Sequence, residues 1–76
     1  MENKKYKVFI GPNLYRAKMV GQFDEVREAY GALLQAARDM GYVISPALGM
    51  HEDRGCIVVD FGSWHDFGYV FGDKLL

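Results

Sequence analysis

Hydrophobic and polar residues alternate in two short runs at the start of the chain. The runs, 5–10 and 14–19 in "KYKVFIGPNLYRAKMVG", are separated by Gly-Pro-Asn. A glycine, a proline with fixed φ and an asparagine are typical of a tight turn. The pattern therefore predicts an antiparallel β-hairpin.

The next segment has a helical period. Its apolar residues recur at steps of three and four and predict one stripe of an α-helix: Phe23, Val26, Tyr30, Leu33, Ala37 and Met40. Asp24 and Glu25 fall in the predicted first turn, Arg38 in the last, and Gly41 at the expected end. Gly31 lies off the stripe and costs about 1 kcal/mol relative to alanine, which indicates either tolerance or the close approach of a neighbouring backbone.

Three further apolar stretches predict strands. "YVIS" (42–45) predicts a short third strand, and "PALGMHEDRG" (46–55) predicts a loop or wide connection. "CIVVDFG" (56–62) predicts a fourth strand, and "WHDFGYVF" (64–71) is able to run as a last one. In the fourth strand, Ile57, Val59 and Phe61 are predicted to face one way. In the last strand, one predicted stripe contains His65, Phe67, Tyr69 and Phe71.

The predicted order is ββαββ, with or without a fifth strand, which is an α+β fold with a small antiparallel sheet and one amphipathic helix on one face. Because one helix covers one face, we expect the second face to expose Phe9, Val58, Trp64 and Val70. That much exposed apolar surface favours self-association.

Composition limits the classes of function. Seventy-six residues, 50% apolar and 14% aromatic, are enough for a single domain over 1–76. The net charge of −1 gives no overall attraction to nucleic acid or membrane. Cys56 is the single cysteine, and the chain has neither a signal-like start nor an apolar run of membrane length. We therefore expect a cytoplasmic protein with no membrane contact.

The tripeptide Asp-Phe-Gly occurs twice, at 60–62 and 66–68. In protein kinases its aspartate holds magnesium, but a kinase also needs a glycine-rich loop, a strand lysine, a catalytic-loop aspartate and a much longer chain. We interpret the repeat as architecture: Phe61 and Phe67 supply core, and the glycines allow tight turns or close packing.

Metal and nucleophile chemistry have weak support. A small metal-dependent or acid–base enzyme would use His51, Asp60, His65 and Asp66, yet no HExxH or paired CxxC spacing fixes a geometry. Within an apolar strand, Cys56 is interpreted as a small buried hydrophobe and not as a nucleophile. We expect no catalytic residue, no metal and no cofactor.

Charge is uneven along the chain. Residues 1–20 carry five cations and one anion, whereas residues 21–76 carry four cations and nine anions. The predicted basic face comprises Lys5, Lys7, Phe9, Arg16 and Lys18. Such a face can follow a phosphate backbone while its aromatic ring stacks on a base. The favoured alternative is that the lysines of an edge hairpin prevent aggregation.

The stretch "SWHDFGYVF" has more aromatic and polar groups than a core needs. Such rings serve core packing and interfaces, or clamp a planar, nucleotide-like ligand whose phosphate an arginine neutralises. The predicted ligand- or partner-binding residues are Trp64, His65, Asp66, Tyr69, Arg16 and Arg54.

Three functions remain: a binding module, a nucleic-acid-binding module that uses the basic hairpin, and the small enzyme described above. We prefer a non-enzymatic, homo-oligomeric module that captures a partner protein or a nucleotide-like ligand. In general character the chain is similar to small phage or mobile-element proteins that block or sequester host factors, although no motif ties it to a family.

Overall fold

The computed structural model describes residues 5–44, 49–53, 55–61 and 65–72. These residues form one helix and a five-stranded antiparallel sheet with the strand order β2-β1-β5-β4-β3. The elements are β1 (Tyr6–Gly11), β2 (Lys18–Phe23), α1 (Val26–Asp39), β3 (Gly49–Asp53), β4 (Cys56–Asp60) and β5 (Phe67–Phe71). The predicted α+β class and the antiparallel sheet with one helix are confirmed, and the sheet has the fifth strand.

The hairpin is confirmed, but its connection is wider than predicted. The predicted second strand, 14–19, begins too early, because the chain turns before it enters β2. The backbone N–H of Arg16 donates to the backbone O of Asn13 at 3.2 Å and to its Oδ1 at 3.0 Å. A Cβ added at Gly11 would lie only 2.6 Å from the Cα of Ala17, so the connection runs close to the end of β1.

A bulge interrupts the pairing of β1 with β2. Val8 lies opposite Gly21, but Phe9 lies opposite Met19, so Val20 has no partner in the ladder. The extra residue reverses the alternation of sides along β2. Val20 thereby packs against the helix-side core.

Helix α1 begins later than predicted. Phe23 is the last residue of β2, and Glu25 is the N-cap residue, so Asp24 and Glu25 precede the first turn. The acidic residue of that turn is Glu28. Met40, the last residue of the predicted stripe, is the C-cap residue and is 51% exposed. The buried residues of the helix are Ala29, Leu33 and Ala37.

The helix ends where the sequence predicts. Gly41 adopts a positive φ of 93°, a conformation that glycine reaches without a Cβ clash. Its N–H donates to the carbonyl of Arg38 at 2.9 Å, and the N–H of Tyr42 donates to that of Ala37 at 3.0 Å. This pair of bonds is the Schellman arrangement, which satisfies the last carbonyls of a helix.

The third strand is not where it was predicted. Residues 42–44 form no strand, and Ser45 lies outside the described residues. Instead, the ring of Tyr42 packs on Phe61 with centroids 5.3 Å apart, and its hydroxyl donates a hydrogen bond to Asp66. Tyrosine contacts therefore hold this segment to the sheet without a backbone ladder.

Strand β3 lies in the stretch predicted as a loop. Gly49–Asp53 pairs with β4 in an antiparallel ladder that runs from the Gly49 and Asp60 pair to the Asp53 and Cys56 pair. All five residues are exposed, because β3 is an edge strand outside the area that α1 covers. An edge strand needs no apolar alternation, so the pattern did not indicate it.

The helix packs on β1, β2 and β5 over the main hydrophobic core. The buried residues of this helix-side core are Tyr6, Val8, Ile10, Ala29, Leu33, Ala37, Ile57, Val59, Phe61 and Val70. Val70, predicted on the second face, is therefore on the helix side and fully buried. The predicted facing of β4 is confirmed, because its odd-numbered residues belong to this core.

Replacing Gly31 with alanine is expected to raise the free energy of unfolding by about 1 kcal/mol, because alanine has the higher helix propensity. A Cβ at Gly31 would meet no atom within 4 Å. The close approach of a neighbouring backbone therefore does not explain this glycine, and the helix tolerates its lower helix propensity. Urea unfolding followed by circular dichroism measures the change. A loss of stability in Gly31→Ala would contradict the prediction.

Candidate binding groove

The second face of the sheet, opposite α1, has its own small cluster. Cys56, Val58 and Tyr69 are buried there at 1%, 9% and 6% exposure. The partly buried residues packed against them are Phe9, Ala17, Phe67 and Phe71. The prediction that this face exposes Val58 is therefore wrong, because large neighbouring side chains surround it. Trp64 lies outside the described residues.

A groove lies on the β1 side of this face. It has a volume of about 450 Å³ and is lined by Lys7, Phe9, Leu14 and Phe71. The rings of Phe9 and Phe71 are 5.7 Å apart and nearly perpendicular, at 89°. This edge-to-face arrangement is a favourable one for aromatic pairs. The groove therefore presents an aromatic corner with one cationic side chain.

The sheet register creates this corner. Lys7 lies directly opposite Phe71 across the β1–β5 ladder, and Phe9 lies opposite Tyr69. Phe9 and Phe71 are therefore diagonal neighbours on one face, within reach of each other. Leu14 comes from the connection between β1 and β2 and completes the wall.

The surroundings extend the apolar character toward the sheet edge. Met19, opposite Phe9, is 48% exposed, and Leu14 is 49% exposed. Gln22 lies opposite Lys7, and its Nε2 is 3.8 Å from the sulfur of Met19. No carboxylate is among the described residues that line the groove.

Of the six predicted binding residues, the four that the structure describes do not line this groove. Tyr69 is buried beneath its edge, Asp66 accepts the Tyr42 hydrogen bond, and His65 is exposed before β5. Arg16 is exposed in the β1–β2 connection. Trp64 and Arg54 lie outside the described residues.

The predicted basic face is not formed as a single stripe. Lys7 and Phe9 share the groove, but Lys18 lies opposite Ile10, which faces the helix-side core. The bulge in β2 causes this difference, because it reverses the facing of Lys18. Lys5 and Arg16 are exposed outside the strands.

Cys56 is buried, as its apolar strand indicates. Burial raises the pKa of its thiol, and the negative charge of Asp53 raises it further. A raised pKa lowers the thiolate fraction at neutral pH, which makes Cys56 a poor nucleophile. Within the described ranges, no three His, Cys, Asp or Glu side chains are grouped in a way that could hold a metal ion.

Sequence reasoning identified two lining residues, Lys7 and Phe9, as members of the basic face. It missed Leu14, because the alternation placed this residue in a strand and not in the connection. Phe71 was placed on the stripe of the last strand that contains Tyr69, which the structure confirms, but it was not chosen as a binding residue. The sequence feature that could have indicated Leu14 is its apolar pair with Tyr15, directly after a turn.

Comparisons of the chain with models of protein families, with curated proteins and with solved structures give no match. Within the described residues, α1 is the single helix, and it is neither long enough nor apolar enough to cross a membrane.

Proposed function

We propose that this protein is a non-enzymatic binding module that captures a small, nucleotide-like ligand in the groove of Lys7, Phe9, Leu14 and Phe71. The observation that carries the proposal is the perpendicular pair of phenylalanine rings beside a lysine. Ligand sites are typically concave and mostly apolar, with few polar groups, and about 300–1,000 Å³ in volume. The groove, at about 450 Å³, falls within this range.

Binding without turnover is supported by the chemistry of the groove. Among the described residues that line the groove, Phe9, Leu14 and Phe71 have hydrocarbon side chains and Lys7 has a cationic one. The nearby cysteine is buried and has a raised pKa, so it does not supply a nucleophile there. We therefore propose that the protein holds a captured ligand and does not convert it. Its proposed role is sequestration in the cytoplasm, for example of a factor of a host cell.

Homo-oligomer formation is the second part of the proposal. The apolar surface available for self-association is smaller than the sequence predicts, because Val58 and Tyr69 on the second face are buried. Among the described residues, three of the exposed large apolar side chains lie together at the hairpin end, namely Leu14, Met19 and the 99%-exposed Tyr15, whereas Met40, Val43 and Met50 lie elsewhere. We place the contact between copies at this end.

Native mass spectrometry of gently purified protein tests both parts. We expect an oligomer that carries an additional mass of a few hundred daltons, the size of a small ligand. Phe71→Ala is expected to lose that mass, because it removes one wall of the groove. Met40→Ala, at the exposed end of the helix, is the matched control and is expected to keep it.

Two results would contradict the proposal. Bare wild-type protein would speak against small-ligand capture and favour a protein or nucleic-acid partner. An additional mass retained equally by Phe71→Ala would place the ligand outside the groove. A monomeric wild-type species would separately refute self-association.

A further inference from the structure

We propose that the ligand of the groove is a small planar aromatic molecule that carries one negative charge close to its ring. This inference rests on the proposed function and narrows it, because it names the shape and charge that the four lining residues recognise. It commits to a free small molecule and not to a side chain of a protein or a nucleic-acid strand.

The aromatic corner accounts for the planar ring. Because the planes of Phe9 and Phe71 are at 89° to each other, a flat ligand that stacks on the face of one ring lies perpendicular to the other and can present its own edge to it. Offset stacking and edge-to-face contact are the two favoured geometries of aromatic pairs. A saturated ligand of similar volume gains neither contact.

The single lysine accounts for the charge. Lys7 is the one charged residue among the described residues that line the groove, and its side chain is exposed. A lysine keeps its charged head in water while its stem covers apolar surface, so the anionic group should bind at the groove margin. One ammonium balances one carboxylate or one phosphate monoanion and leaves a polyphosphate largely unpaired.

The lining also excludes other ligand classes. Phe9, Leu14 and Phe71 offer no side-chain hydrogen-bond donor or acceptor, so a free sugar, which has no aromatic ring to stack, would lose its bonds with water without replacement. A cationic ligand would be repelled by Lys7. Gln22 lies opposite Lys7 in the ladder and carries a side-chain amide.

NMR titrations of the ¹⁵N-labelled protein with three aromatic probes test the inference. The probes differ in their charge. We expect 2-naphthoate to shift the amide signals of Lys7, Phe9 and Phe71. The uncharged 2-naphthalenemethanol should bind about fivefold more weakly, the order of a partly exposed charge interaction. AMP, whose phosphate is separated from its base by a ribose, tests whether a nucleotide also enters the groove.

Two variants identify the source of the preference. Lys7→Gln is expected to abolish the fivefold advantage of 2-naphthoate over the alcohol. Lys18→Gln makes the same change on the other face of the hairpin and should keep the advantage. A dispersed amide spectrum shows that each variant is folded.

The outcomes separate the two proposals. Equal affinity for naphthoate and the alcohol, with shifts at the groove, overturns the charge inference but leaves the binding groove in place. Preference for naphthoate that survives Lys7→Gln also overturns it. If AMP alone shifts the groove amides, the inference fails and the proposed function stands; if none of the three probes shifts them, both fail.

Discussion

Replacing Phe61 with alanine is expected to lower the free energy of unfolding by about 3–5 kcal/mol, the usual cost of removing a buried phenylalanine ring. Phe61 is 1% exposed and belongs to the helix-side core. Small domains typically have a total stability of about 5–15 kcal/mol, so this loss would remove a large part of it. Urea unfolding followed by circular dichroism measures the difference.

The expected size of the effect follows from what Phe61 holds in place. Its ring packs on Tyr42 with centroids 5.3 Å apart, and the hydroxyl of Tyr42 donates to Asp66. Without the phenylalanine, the chain that leaves α1 loses the ring contact of Tyr42. The cavity and the weakened contact act in the same direction.

Met40→Ala is the control, because it also truncates a large apolar side chain but at a position that is 51% exposed. We expect a change within about 0.5 kcal/mol for this variant. If Phe61→Ala cost less than about 1 kcal/mol, the placement of Phe61 in a closely packed core would be incorrect.

The two Asp-Phe-Gly repeats illustrate what the sequence could predict. Alternation in a strand placed Phe61 in the core, and the structure confirms it because side-chain direction follows a period of two. The close-packing explanation also holds for Gly68, which lies against Leu33 of the helix. The aspartates differ from each other: Asp60 is exposed, whereas Asp66 is partly buried and accepts the Tyr42 hydrogen bond.

Two physical causes account for the incorrect predictions about Lys18 and β3. An alternation pattern assigns faces only while the ladder is regular, and the unpaired Val20 ends that regularity in β2. Lys18 therefore lies on the face opposite the one expected. The edge strand β3 has no buried residue, so it carries no apolar period for a pattern to detect.

The groove was only partly predictable for a related reason. Phe9 and Phe71 are 62 positions apart in the sequence and become neighbours through the β1–β5 ladder. Alternation indicated the side of each ring within its own strand but gave no information about which strands pair. Leu14 depends further on the fold of a six-residue connection, which no periodic pattern encodes.

Replacing Gly68 with alanine is the second prediction, and we expect it to lower the free energy of unfolding by about 2 kcal/mol, within the range for overpacked cores. Gly68 pairs with Ile10 and Val59 at the centre of the sheet. A Cβ at this position would lie 2.3 Å from Cδ2 and 2.6 Å from Cδ1 of Leu33. Because Leu33 is fully buried, it has no free space into which to move.

The matched control is Gly31→Ala, which makes the same chemical change where no atom lies within 4 Å, and which should stabilise the protein. Opposite signs for these two variants would show that space, and not glycine itself, decides the result. A stabilising Gly68→Ala would contradict the close packing of α1 on β5.

A double-mutant cycle tests the cause directly. Leu33→Ala alone should cost about 2–5 kcal/mol, because it leaves a cavity over β5. In the double variant the new methyl group of residue 68 occupies part of that cavity, and the clash that the single Gly68→Ala suffers is gone. The combined loss should therefore be smaller than the sum of the single losses by about 1 kcal/mol or more. Additive losses would show that Gly68 serves some need other than the approach of Leu33, because only a shared contact couples the two residues.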